Sequence, residues 1–339
     1  MVEQTQALDV HAHAMPMPLL RWLADHGLAD TSAVEQEIIR IDPKISGVGP
    51  NVPLPLARSQ HDVATRLTEM DAAGVSHHAV SLPPFLFAST ADDGQLVTEV
   101  VRRGNDALAD YIAGAPARLL GLGHVGLGWP GGVSEAQRCV DELGMAGLAI
   151  GTRGGGQDLD STVNEDFWEF VGKRRIFVFI HPSGVPDGPR QRDYYMAQLV
   201  GYPMETALAV ARLVFSGVLE RHDPVVCLAH GGGCLPALRG RLDMGWERKE
   251  VAHTTTHPPS NYTQRLYYDT AVFADPLLRR LVDDYPGHVL LGTDHPFELG
   301  DRDPVATVAR LGLDAELTHR ILWDDAARLL KLSDVTQGG

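Results

Sequence analysis

The chain has 339 residues, 44% of them hydrophobic and 22% charged, the balance of a globular protein with a sizeable core. Its formal net charge of −15 disfavours polyanions, so neither nucleic acid nor an anionic membrane is an expected partner. There is no run of about 18 uncharged apolar residues to span a membrane. The opening MVEQTQALDV lacks the basic and apolar regions of a signal peptide, so a cytoplasmic location is expected.

In chain order, eight short apolar runs read as strands: 7–14 (ALDVHAHA), 77–82, 119–125, 147–152, 176–183, 225–232, 266–271 and 288–294. Several are apolar throughout, as in strands buried on both faces. Amphipathic runs fill the gaps. SQHDVATRLTEMDAAG ends at Gly74, and QLVTEVVRRGNDALADYIAGAP ends at Gly114 and Pro116. SEAQRCVDELG opens on Ser134 as an expected N-cap. NEDFWEFVGKRR, METALAVARLVFSGVLERH and DPLLRRLVDDYPG take the same form, and DAELTHRILWDDAARLLKL predicts a C-terminal helix.

Eight such repeats predict a (β/α)8 barrel, folded as one domain over 1–339. The first strand-to-helix turn reads HAHAMPMP and has no GxGxxG, which argues against an open nucleotide-binding sheet. Two segments exceed the repeat: 15–60 after the first strand and 183–203 after the fifth. Long segments at these places act as lids or substrate contacts, and 15–60 is expected to cover the active site. The three cysteines, Cys139, Cys227 and Cys234, form no CxxC pattern and are expected to be reduced thiols.

His11 and His13 lie two apart, so a strand puts both rings on one face. His181, His230 and Asp294 each close an apolar strand run, the position from which barrels present their chemistry. Three histidines and one aspartate suit a divalent ion such as zinc, which would lower the pKa of a bound water and polarise a substrate oxygen. The glycines Gly231, Gly232 and Gly233 fit either a tight turn or close approach of backbone to substrate.

With these residues in place, DVHAHAMP, FIHPSG, LAHGGG and GTDHPF, in this order, resemble the motifs of the amidohydrolase superfamily. The branch is that of 2-amino-3-carboxymuconate-semialdehyde decarboxylase and γ-resorcylate decarboxylase. The resemblance runs roughly from Ala7 to Leu332 and takes in TRLTEMDAAGV, CVDELGMAGLAIGT and LVGYPMETALA. It implies a distorted barrel, one zinc or manganese ion held by His11, His13, His181 and Asp294, and His230 in acid/base work. It also implies a homodimer and a small carboxylate substrate held by Arg241, an arginine sometimes supplied by the neighbouring subunit, and by Arg58. His124 and Phe297 are further candidates for the substrate pocket. The implied reaction is non-oxidative decarboxylation of a carboxylated aromatic or muconate-semialdehyde-like acid, aided by Asp294 and His230. The same ligands would also serve hydrolysis of a lactone, ester or amide, or hydration of an unsaturated acid. The chain departs from the branch at PSGVPDG after His181, where a tryptophan is missing, and at His295, where an aromatic is common. Both departures lie on the substrate side.

Overall fold

The computed structural model describes residues 6–332, and all eight expected runs contain strands. They are β1 (Leu8–His13), β2 (His77–Ser81), β3 (Leu119–His124), β4 (Gly147–Gly151), β5 (Phe177–His181), β6 (Val225–Leu228), β7 (Tyr267–Asp269) and β8 (Val289–Leu290). They pair in parallel and in chain order. Backbone bonds join the ends of the sheet: Val10 N–H donates to Leu291 O at 2.9 Å, Asp294 N–H to His11 O at 2.9 Å and His13 N–H to His295 O at 2.8 Å. The result is a nearly closed (β/α)8 barrel. It is distorted at β1, whose register on β2 shifts between Asp9 and Ala12.

Strand alternation divides the core in two. Phe177 and Phe179 of β5 pack with Leu8, Val10, Ala149 and Leu290 in one cluster. Val178 and Ile180, the alternate positions, pack in the other with Trp168 and Val210 of the surrounding helices. A period of two produces this split, and it gives His181 the same parity as Phe177 and Phe179. Valine, isoleucine and phenylalanine suit both faces of such a strand.

The helices follow the amphipathic runs with local differences. Asp62 and Asp93 cap Val63–Ala72 and Gly94–Ala113 by accepting backbone N–H groups. The helix expected to start at Ser134 spans Gly132–Asp141, after Gly131 at φ 94°, so Ser134 lies inside it and is no cap. The run 204–222 falls in two helices, Tyr202–Phe215 and Val218–His222, parted at Gly217. The C-terminal run carries a π turn at Arg320–Asp324. Among the described residues, no helix is long and apolar enough to cross a membrane.

The segment 15–60 folds as a helix, Met17–Asp25, followed by a small antiparallel sheet of Ala29–Asp30, Ile38–Ile41 and Leu54–Pro55. Leu19, Leu20 and Leu23 share a core with Ile39, Ile41 and Leu54, which holds the segment against the barrel.

Candidate metal and catalytic site

The parity of β1 puts His11 and His13 on one face, and β5 brings His181 opposite. The three rings lie 5.1–5.2 Å apart, centroid to centroid. Each Nδ1 is already engaged. His11 Nδ1 meets Asp269 Oδ2 at 2.6 Å, His13 Nδ1 meets Leu82 O at 3.3 Å, and His181 Nδ1 meets Pro182 O at 2.8 Å. Anchoring Nδ1 leaves each Nε2 available to ligate an ion. Asp294 Oδ1 stands 3.2 Å from Nε2 of both His11 and His13. One ligand atom from each of His11, His13, His181 and Asp294 falls within 4.8 Å of the others, and all four residues are buried.

This group fits a divalent cation. His11 Nε2, His13 Nε2 and Asp294 Oδ1 are buried and lack a well-aligned hydrogen-bond partner, which is costly unless something positive binds between them. The electrostatics agree. Burial pulls His11 down, yet Asp294 and Asp269 outweigh it and raise it to about 10. Burial lowers His13 to about 4, and burial together with the neighbouring histidines holds His181 well below its usual value. Burial pushes Asp294 up, but His11, His13 and His230 bring it well below the carboxylate range. A cluster with two carboxylates gathers positive charge, and a cation would replace the proton on His11.

His230 and Asp294 lie just past their strands, not within them. Both have left-handed backbones, φ 56° at His230 and φ 65° at Asp294. Such a conformation costs a non-glycine residue about 1–3 kcal/mol and needs outside support. Gly231 N–H donates to Asp269 Oδ1 at 2.8 Å, and Asp294 N–H donates to His11 O at 2.9 Å. These bonds hold His230 Nε2 3.7 Å from Asp294 Oδ2. The three glycines after His230 all have positive φ, and a Cβ at Gly233 would collide with the backbone of Pro203. The glycine run therefore makes a tight turn, and Gly233 also lines the cavity.

His181, His230 and Asp294 open onto a cavity of about 810 Å³. Ile38 and Leu54 from the segment 15–60, and Tyr195 and Leu199 from 183–203, form part of its wall. Phe297 also lines it, 5.4 Å from the His13 ring. The other substrate candidates lie elsewhere. Arg58 is exposed and pairs with Asp62 at 3.1 Å. Arg241 is exposed on the helix Leu235–Arg248, away from the cavity of its own chain. His124 is a packing residue: its ring nitrogens face Ala149 O and Phe87 O, both at 3.1 Å, and it stacks on Phe87 at 4.0 Å. A long exposed guanidinium leaves no trace of its direction in sequence, whereas His124 is drawn in by two buried carbonyls.

Sequence reasoning missed Asp269, which orients both His11 and the turn carrying His230. The same rule that selected His181, a polar residue closing an apolar run, also applies to the aspartate of LYYDT. It missed Arg66 as well. That residue is fully buried and hydrogen-bonds His13 O, Ser59 O and Tyr111 Oη, fastening the end of β1.

The amidohydrolase family matches residues 8–332, nearly the whole chain. The chain belongs to the amidohydrolase family. This amidohydrolase is 31% identical over 277 residues to 2-amino-3-carboxymuconate-6-semialdehyde decarboxylase of Dictyostelium discoideum, covering 80% of this chain and 77% of that protein. Its fold matches 5-carboxyvanillate decarboxylase from Sphingomonas paucimobilis with a TM-score of 0.81 at 22% identity, covering 96% and 99% of the two chains. It also matches a dihydroxybenzoic acid decarboxylase from Polaromonas sp. JS666 with bound manganese and the inhibitor 2-nitroresorcinol. That TM-score is 0.78 at 21% identity, over 97% and 98% of the chains. The amidohydrolase thus falls in the branch its motifs resemble, that of 2-amino-3-carboxymuconate-6-semialdehyde decarboxylase and gamma-resorcylate decarboxylase.

Proposed function

We propose that this chain is a metal-dependent, non-oxidative decarboxylase of a small carboxylated aromatic or related unsaturated acid. The observation that carries the proposal is the union of two features at one cavity. One is a buried set of three imidazoles and a carboxylate with ligand atoms facing each other. The other is a fourth imidazole, His230, 3.7 Å from that carboxylate. The decarboxylase relatives support the reaction class, and the manganese of the Polaromonas enzyme supports a divalent ion, zinc or manganese, held by His11, His13, His181 and Asp294.

When bound, the cation supplies positive charge that stabilises the electron-rich oxygen of the substrate as CO2 leaves. The bond between the substrate carbon and its carboxyl group breaks, and the electron pair stays on carbon. His230 faces the cavity and delivers a proton to that carbon, then takes up another from solvent water, while the Asp294 carboxylate 3.7 Å away orients its ring. Phe297 and Phe85, 6.0 Å apart, form part of an apolar wall suited to a ring. The segments 36–38 and 53–55 serve as the cover that excludes water. A homodimer is part of the same proposal, supported by the exposed Val200, Met204 and Leu208, and sedimentation tests it.

The test is to incubate zinc- or manganese-loaded protein with hydroxybenzoates and muconate-type acids, following CO2 and absorbance. Stoichiometric CO2 that vanishes with chelator is expected. Absence of CO2 from every acid refutes the proposal. One observation favours a hydrolase as second reading: no Lys or Arg among the described residues lines the cavity to hold a substrate carboxylate. Acid release from a lactone or ester without CO2 would establish it.

A further inference from the structure

One buried carboxylate beside the cavity belongs neither to the metal group nor to the wall. Asp9 is fully buried on β1, two residues before His11. Its Oδ1 accepts His11 N–H at 2.8 Å, the local bond of an aspartate to backbone two residues on. That bond takes His11 N–H out of the strand ladder, and the register of β1 on β2 shifts there.

The same carboxylate reaches across to the strand end that carries Asp294. Oδ1 also accepts Thr293 N–H at 3.1 Å, and Oδ2 accepts the Thr293 hydroxyl at 2.6 Å. Thr293 Oγ1 in turn accepts His295 N–H at 3.0 Å. The residues on both sides of Asp294 are thus tied to Asp9, one directly and one through a hydroxyl. Asp294 itself has the left-handed backbone, φ 65°, that outside bonds must hold. Behind Asp9, His78 Nε2 stands 3.6 Å from Oδ2, and Arg66 Nη1 donates to His78 Nδ1 at 3.0 Å. A guanidinium can only donate, so the His78 proton sits on Nε2 and faces Asp9. Each of these groups presents the carboxylate with a donor, and together they fix its orientation.

We propose that Asp9 and Thr293 are positioning residues, whose bonds select the backbone that aims Asp294 Oδ1 at Nε2 of His11 and His13. This rests on the metal reading above. Neither side chain lines the cavity, so both act through Asp294 and not on substrate. Both oxygens of the carboxylate are needed at once, one for two backbone N–H groups and the other for a hydroxyl. Without the hydroxyl, His295 N–H loses its partner and Oδ2 its closest donor. Asp294 is then free to leave the left-handed region and draw its carboxylate away from the imidazoles. Loss of such an outer partner costs about 10–100-fold in metal affinity.

The experiment measures zinc affinity by competition and the visible spectrum of cobalt-loaded protein, with full-length variants at pH 8. Burial pushes the Asp9 carboxyl up to about 7, so pH 8 keeps it ionised. Thr293→Val keeps the shape and removes the hydroxyl. It should weaken zinc at least about tenfold and alter the cobalt bands, which report coordination geometry. Thr293→Ser should restore most of the affinity. Thr263→Val, at a similarly buried threonine whose hydroxyl bonds Ser260 O at 3.3 Å, should change neither readout. In an Asp294→Ala background, Thr293→Val should cost less than about twofold, because the ligand it positions is gone. Should Thr293→Val not fold, Asp9→Asn takes its place with the same expected loss, since its NH2 group meets the Nε2–H of His78.

A zinc Kd within twofold of wild type in folded Thr293→Val overturns the inference. So does a serine variant as weak as the valine one, an equal loss in Thr263→Val, or a full loss that persists without Asp294. If wild-type protein binds neither zinc nor cobalt, the metal reading falls by itself. Crystal structures of metal-free wild type and Thr293→Val then decide the positioning role. A left-handed Asp294 retained in the variant overturns it, and its loss upholds it.

Discussion

Replacing Asp269 by asparagine keeps the shape of the side chain and removes its charge. Asp269 Oδ2 accepts from His11 Nδ1 at 2.6 Å, with both groups fully buried, while Oδ1 accepts from Gly231 N–H at 2.8 Å. In Asp269→Asn the amide oxygen continues to serve Gly231, so the NH2 group turns toward His11. His11 Nδ1 must then accept, which moves its proton to Nε2, the atom that faces the metal. Binding therefore requires either a tautomer change against an unmatched donor or a flipped amide that abandons Gly231. Loss of such an orienting partner costs about 10–100-fold in metal affinity, equivalent to roughly 1.4–2.8 kcal/mol. Competition for zinc against a chromophoric chelator measures it, and thermal unfolding of the metal-free proteins checks that the fold persists. A zinc Kd within twofold of wild type in a folded Asp269→Asn protein would refute the assignment of Asp269 as the orienting group.

Four further outcomes are expected. His230→Gln should retain stoichiometric metal and lose about 100-fold or more in kcat, because the proton donor is gone while the ligands stay; unchanged kcat would remove His230 from the reaction. His124 is held by burial at about 4, against an ordinary 6.5 when unfolded, so the unfolded chain takes up its proton first. Stability from this residue is then full above pH 6.5 and falls, by about 3 kcal/mol in all, as the pH drops to about 4. Denaturant melts across that range should show a shallower acid limb in His124→Gln, and parallel limbs would contradict the assignment. Gly292→Ala would place a methyl 2.6 Å from Asp269 Cβ and 3.0 Å from His11 Cβ, so stability should drop by about 1–3 kcal/mol and metal should bind more weakly. Arg58→Ala should change kcat/KM less than about twofold, since an exposed pair of this kind contributes about 0–1 kcal/mol; a tenfold loss would restore its candidacy for the substrate carboxylate.

Much of the frame is legible in the residue order. The eight strand runs, and the common face of His11 and His13, follow from a period of two that any extended segment obeys. His181 is legible because it ends an apolar run, and Asp269 ends one in the same way. The caps were less legible. Ser134 has the chemistry of an N-cap, yet Gly131 reaches the left-handed conformation at little cost and starts the helix three residues earlier. The positive φ of His230 and Asp294 had no local signal, because neighbouring strands and not their own propensities hold them there.

Taken alone, the order of residues determined which segments become strands and helices, which side chains share a face, and which groups have the chemistry to bind a metal. Only the tertiary structure decided which of them meet. His11 finds Asp269 across 258 positions of chain because the barrel closes, and the bond exists only once β1 lies beside the last strand. Arg58 and Arg241 have the right charge for a carboxylate but stand outside the cavity of their own chain, while apolar and acidic side chains drawn from distant loops line it. Periodicity is a property of adjacent residues, whereas the charge and shape of a cavity belong to residues that only closure of the barrel brings together.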